Sequence, residues 1–224
     1  MMSVYMTEDE QLQAIKTWWQ QHSRLISIIL SVILLTISGY KYWHWHQEKL
    51  TAQASNTYEN LMVSFSNKDK KRIKAYANHL ISDYNTTIYA DAARLTLAKL
   101  YVNTKNFAKA QGLLEHVANH STLPSLKQVA KLRIARLLVA QKDYDKAMIE
   151  LTAVDDKAYM PIVDEIKGDI YAATKQYQLA MSSYKDAMDA VRMQGMGNLY
   201  LEMKANEVAA LTQSMSTNHI PQAT

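Results

Sequence analysis

The chain has 224 residues, a formal net charge of +4 and no cysteine. Disulfides, thiol catalysis and Cys-ligated zinc are therefore excluded, while an oxidising and a reducing compartment fit equally well. The charge is mild and carries no long basic tail, so nucleic acid is not an expected partner. Five glycines and three prolines against 14 tyrosines and 12 methionines point to helices joined by short turns.

Residues 1–23 form a short N-terminal segment, acidic at Glu8, Asp9 and Glu10 and then aromatic. Leu12, Ile15, Trp18 and Trp19 fall at helical spacing and suit an interfacial amphipathic helix. Next comes the most apolar stretch. From Leu25 to Tyr40 there is no charge, proline, Asn or Gln. At 1.5 Å per residue the run rises about 24 Å, against a hydrocarbon core of roughly 30 Å. The flanks extend it: Trp18 and Trp19 lie on one side, and Tyr40, Tyr42, Trp43 and Trp45 on the other. Amphipathic rings at both ends of an apolar helix suit the headgroup boundary, and Arg24 and Lys41 can snorkel outward. A transmembrane helix is expected over 24–43, meeting the lipid bilayer through Leu25, Ile29, Val32, Leu35 and Trp43. The competing reading, a buried core helix, does not account for rings at both ends.

The segment before this run is long and acidic, unlike a signal-peptide n-region, and no small-x-small cleavage site follows it. An uncleaved anchor is therefore expected. Its orientation stays open, because Lys16 and Arg24 before the span balance Lys41 and Lys49 after it.

Residues 44–88 read as a juxtamembrane helical hairpin. One arm, Glu48 to Ser66, keeps an apolar face of Leu50, Ala54, Tyr58, Leu61, Met62 and Phe65; the pattern does not decide whether the membrane helix continues into it. The other, Lys70 to Asp83, turns Ile73, Ala77, Leu80 and Ile81 inward. The basic run Lys68, Lys70, Lys71, Arg72 and Lys74 reads as a solvated face, with contact to anionic lipid or a partner as the functional alternative.

From Tyr89 the sequence repeats. Ala98, Tyr101, Phe107, Ala110, Leu114 and Val117 are matched by Ala135, Leu138, Tyr144, Ala147, Leu151 and Val154, then by Gly168, Tyr171, Tyr177, Ala180, Tyr184 and Ala187. The offsets, 37 (98 to 135) and 33 (135 to 168), bracket the 34-residue tetratricopeptide period. Small residues let paired helices approach, and the aromatic that opens each second helix staples it to the first. Polar turns at 103–106, 141–143 and 174–176 separate the paired helices, and Pro124 and Pro161 sit near helix starts. The pattern resembles the tetratricopeptide family in degenerate form, with Arg94, Lys131 and Asp164 where tryptophan is expected. The expected architecture is all-α. A single N-terminal transmembrane helix precedes a tetratricopeptide-repeat-like α-solenoid of three repeats plus a capping helix over 89–213, the cap running from Asn198 to Gln213 after a Gly195-Met196-Gly197 turn, and 214–224 is a flexible tail.

Little in the sequence suggests chemistry. His116 and His120 have an i, i+4 spacing that can hold zinc, but the general-base Glu of the metalloprotease motif is missing, since Val117 follows His116. Histidines also suit a helix C-terminus electrostatically. His44 and His46 flank Trp45 at the membrane boundary, and Asp155-Asp156 falls in an inter-repeat turn. No nucleophile elbow, phosphate loop or dinucleotide fingerprint is present. Neither an enzyme nor a cofactor or metal site is expected; a zinc enzyme using the two histidines is the competing reading.

Three groups of residues carry a closer likeness: Glu8-Asp9-Glu10-Gln11 with Ile15-Lys16-Thr17-Trp18-Trp19, Gly39-Tyr40-Lys41-Tyr42-Trp43 with His46-Gln47, and Leu132-Arg133-Ile134-Ala135-Arg136 with Ile166-Lys167-Gly168-Asp169. Together they make the chain similar to the YfgM family of ancillary SecYEG translocon subunits over almost its full length. The resemblance implies a single-pass protein of the bacterial inner membrane, with a cytoplasmic N-terminus and a periplasmic domain. It implies as partners the SecYEG translocon, a membrane-anchored periplasmic prolyl-isomerase-type chaperone and emerging client proteins handed to periplasmic chaperones. Tyr89, Arg94 and Lys131 are the candidate partner-binding side chains on the inner face of the repeats. A membrane-anchored repeat scaffold for another cell-envelope complex is the alternative.

Overall fold

A computed structural model describes residues 8–193 and 198–217. The described residues form nine α-helices and a short 3₁₀ turn at Lys157–Tyr159, with no strand. The helices are α1 (Glu8–Ser66), α2 (Lys70–Asp83), α3 (Ile88–Asn103), α4 (Phe107–His120), α5 (Pro124–Ala140), α6 (Tyr144–Thr152), α7 (Met160–Ala173), α8 (Tyr177–Met193) and α9 (Leu199–Thr217). The chain divides into two compact units, Met1–Gln53 and Ala54–Thr224.

The first unit is the apolar part of α1. Its large apolar side chains lie open: Leu25, Ile29, Val32 and Trp43 are more than half exposed, and Leu35 is 73% exposed. A core helix of a soluble protein would bury this face, so the surface needs an apolar solvent, and this is the one described helix long and apolar enough to cross a membrane. The hydroxyls within it are satisfied locally, as a spanning helix requires: Ser31 Oγ donates to the Ser27 carbonyl and Thr36 Oγ1 to that of Val32, each at 2.8 Å. No break in α1 separates the apolar run from the arm ending at Ser66.

The second unit is a stack of helical hairpins. The end of α1 with α2, α3 with α4, α5 with α6 and α7 with α8 are the pairs, and α9 closes the row. One device makes the turn inside every pair. Lys68, Lys105, Lys142 and Lys175 adopt left-handed backbone, with φ of 55°, 57°, 63° and 61°. The next residue then donates its N–H back to the preceding helix: Asp69 to Ser64 at 3.0 Å, Asn106 to Tyr101 at 2.8 Å, Asp143 to Leu138 at 3.0 Å and Gln176 to Tyr171 at 2.8 Å. This is the Schellman closure, with lysine where glycine is usual. Asp69, Asn106 and Asp143 then cap the following helices through their side chains. The four lysines are spaced 37, 37 and 33 residues apart (68 to 105, 105 to 142, 142 to 175), so the same turn is already present one hairpin before Tyr89.

The repeat anchors build the core. Ala98, Ala110, Ala135, Ala147 and Ala180 are at most 1% exposed, and the larger anchors Tyr101, Phe107, Leu138, Tyr144, Tyr171 and Tyr177 pack around them. Gly168 takes the small position of the last hairpin, and a Cβ there would collide with the Tyr184 ring. The capping helix runs four residues past the expected Gln213, to Thr217. The Gly195-Met196-Gly197 turn and residues 218–224 of the expected tail lie outside the described residues.

The candidate partner-binding face

Helix α5 is the centre of the stack. It buries Ala130, Leu132, Ile134, Ala135, Leu137 and Leu138, a face wide enough to meet neighbours on both sides. Besides its packing on α4 and α6 it touches α3 and α7, whereas no comparable contact joins α4 to α6 or α6 to α8 among the described residues. Helices α3, α5 and α7 therefore crowd together along one face, which is the inner face of the stack.

That face carries a groove in two adjoining halves. Lys99 and Val102 of α3 with Arg133, Arg136, Leu137 and Ala140 of α5 line the first. Arg136 and Ala140 are shared with the second, which adds Glu165 and Asp169 of α7 and Tyr200 and Lys204 of α9.

Charge is balanced in one half and not in the other. In the second, Lys204 Nζ lies 2.8 Å from both Glu165 Oε1 and Asp169 Oδ1, and Tyr184 Oη donates to Asp169 Oδ1 at 2.7 Å. Burial alone would lower the Lys204 pKa, but its hydrogen bonds to Asp169 and Glu165 outweigh this and hold it above the usual lysine value. Burial, then the Asp169 carboxylate, push the Tyr184 hydroxyl far up, so it stays a donor. In the first half the guanidinium of Arg133 donates to the Leu95 carbonyl at 3.2 Å and makes no ion pair among the described residues. Packing around it, and the charge of Arg136 beside it, lower its pKa. Arg136 reaches Glu165 only at 3.5 Å. Lys99 Nζ lies 5.3 Å above the Phe65 ring.

The candidate partner-binding residues picked out from sequence line neither half of the groove. Tyr89 packs on Tyr58, with ring centroids 5.5 Å apart. Arg94 is buried and paired with Asp91 at 3.0 Å. Lys131 Nζ donates to the Ala153 carbonyl at 2.6 Å, closing the C-terminal end of α6. Arg94 and Lys131, where the motif expects tryptophan, thus pack against their own fold. The rings of His116 and His120 lie 4.8 Å apart, and burial, followed by the Arg94 charge, lowers the His116 pKa. Among the described residues no group of three or more His, Asp or Glu could hold a metal ion. The sequence signal for the groove was Arg133 and Arg136, three apart on either side of the small anchor Ala135. The partners of Lys204 lie 35 and 39 residues away, beyond any local pattern.

Fold and face define a class: a stack of helical hairpins attached to an apolar helix of membrane-spanning composition, with a grooved inner face of the kind that binds proteins. The family model for a tetratricopeptide repeat-like domain matches residues 16–210, and the chain belongs to that family. Relatives named ancillary SecYEG translocon subunit support the same assignment. That of Aggregatibacter actinomycetemcomitans is 29% identical over 84% of this chain and 92% of its own length. Those of Neisseria gonorrhoeae and Escherichia coli K12 are each 24% identical, over 92% and 93% of this chain and all of their own length. No solved structure matches.

Proposed function

We propose that this protein is a non-enzymatic ancillary subunit of the SecYEG translocon in the bacterial inner membrane. Its hairpin stack lies on the periplasmic side and binds a membrane-anchored prolyl-isomerase-type chaperone, emerging proteins, or both, helping to pass clients onward. The observation that carries the reading is the joint match of an exposed apolar helix and a repeat domain to relatives of that name along nearly their whole length. The fold supports it physically: a stack of hairpins offers an extended face, with no nucleophile or metal cluster needed for a binding role.

The test is photo-crosslinking in living cells from Ile29 and Val32, both exposed on the apolar helix. Products containing translocon subunits are expected. Consistent capture of another membrane complex, with no translocon product, would overturn the reading and leave a repeat scaffold working elsewhere in the envelope.

A further inference from the structure

The inner groove is filled on one side and open on the other. At the α7 end the chain supplies its own occupant. Helix α9 brings Lys204 to Glu165 and Asp169, so one ammonium bridges two half-buried carboxylates 39 and 35 residues away, and Arg136 on Glu165 supplies the second positive charge. At the α3–α5 end no described residue plays that part for Arg133. Arg133, Arg136 and Lys99 rim a floor made of Ala98, Val102, Leu114, Leu137 and Ala140. Among the described residues the one ion pair these three cations make is Arg136 with Glu165 at 3.5 Å, an acid also held by Lys204 at 2.8 Å. Two guanidiniums three residues apart on one helix repel each other, and one of them spends a donor on a backbone carbonyl instead of an acid. Such an arrangement is stabilised when carboxylates arrive from outside, because the planar guanidinium fork matches a carboxylate with two parallel hydrogen bonds. The apolar floor sets the second requirement, a hydrophobic side chain next to the acid.

We infer that the α3–α5 half of the groove is a binding site for an acidic, apolar peptide segment of a partner protein. Its carboxylates pair with Arg133 and Arg136, and an adjacent apolar side chain rests on Val102, Leu137 and Ala140. Charge complementarity selects this occupant. A basic or purely apolar segment would leave Arg133 without an acid in a site where packing excludes part of its water. The inference rests on the reading of the domain as a partner-binding module and names the chemistry of what it takes.

The experiment uses the full chain in nanodiscs of neutral lipid and a fluorescein-labelled twelve-residue probe in which Glu alternates with Leu and Phe. The matched probe has Gln in place of Glu. Binding of the acidic probe is expected, with at least tenfold loss for the Gln probe and for Arg133→Ala with Arg136→Ala. Lys105→Gly with Lys142→Gly removes the same two charges from exposed turns and is expected to leave affinity within twofold. Arg133→Glu with Arg136→Glu should exchange preference toward a Lys-for-Glu probe, which keeps the idea testable should the alanine pair fail to fold. Equal affinity for the Glu and Gln probes would overturn the inference. So would equal loss in the turn variant, no binding at millimolar probe, or concentration-dependent self-association that blocks the probe. Translocon crosslinks from Ile29 and Val32, measured on the same variants, separate the two readings. Crosslinks without probe binding remove the groove site alone, and probe binding without crosslinks removes the translocon role alone.

Discussion

Gly168 shows how one residue changes the packing rule of a repeat. In the first two sequence repeats the close helix approach pairs a small residue with leucine, Ala98 with Leu114 and Ala135 with Leu151, all at most 2% exposed. In the last, the small side shrinks to glycine and the large side grows to Tyr184, whose ring fills the space a Cβ would occupy. The ring is not free to slide, because its hydroxyl is held by Asp169 at 2.7 Å. Gly168→Ala should therefore cost about 1–3 kcal/mol by overpacking, although alanine is the better helix former. The pair Gly168→Ala with Tyr184→Leu recreates the arrangement of the other repeats and should recover much of that loss. Urea unfolding of the two single variants and the double variant gives the coupling directly. Additive losses would mean that the ring does not set the glycine. Arg94 and Lys131 make a related point. A tryptophan position taken by a charge looks like a functional departure in sequence, yet one charge is buried against Asp91 and the other closes a helix end.

At the scale of elements, local chemistry made much of the fold legible. The polar turns at 103–106, 141–143 and 174–176 and the prolines at 124 and 161 place helix ends where the chain has them. The second helix was readable to the residue, Lys70 to Asp83, from its apolar face. Less legible was the likeness of the hairpin before Tyr89 to the later ones, because its anchors are larger: Leu61 and Ile73 stand where the later repeats have alanine or glycine. What ties it to the others is backbone, a left-handed lysine in each turn, and a lysine in sequence does not announce φ. The docking of α9 was not legible either, since its ion pairs bridge helices far apart in sequence. That docking has a pH signature. Lys204 and Tyr184 both have pKa values raised above the ordinary 10.5 and 10.0. The folded state then holds protons that the unfolded chain releases, so the stabilisation is complete below about pH 10 and is lost as pH rises above it. Stability measured by urea midpoint should fall between pH 9 and pH 11, and Lys204→Met or Tyr184→Phe should flatten part of that fall. An identical alkaline slope in both variants would show that the network does not hold the end of the stack.

For the whole molecule the open quantity is which side of the membrane carries the hairpin stack. The sequence predicts a span and the exposed apolar face of α1 fits one, but two basic residues on each side of it give no inside bias. Only likeness to the translocon subunits favours the periplasm. The chain offers a clean way to decide, because it has no cysteine and any introduced thiol is a unique reporter. Lys185 is suited to carry it: it is exposed on α8, with the anchors Tyr184 and Ala187 facing inward on the same helix, so Lys185→Cys should leave the packing alone. Intact spheroplasts treated with a membrane-impermeant maleimide should label this cysteine as fully as lysed cells do. Labelling only after lysis would put the stack in the cytoplasm and withdraw the periplasmic chaperone and emerging clients as partners. The anchor and the groove would stand in either case, because the first follows from apolar surface that water does not tolerate and the second from a guanidinium, that of Arg133, with no ion pair among the described residues. The compartment decides which acidic segments can reach them.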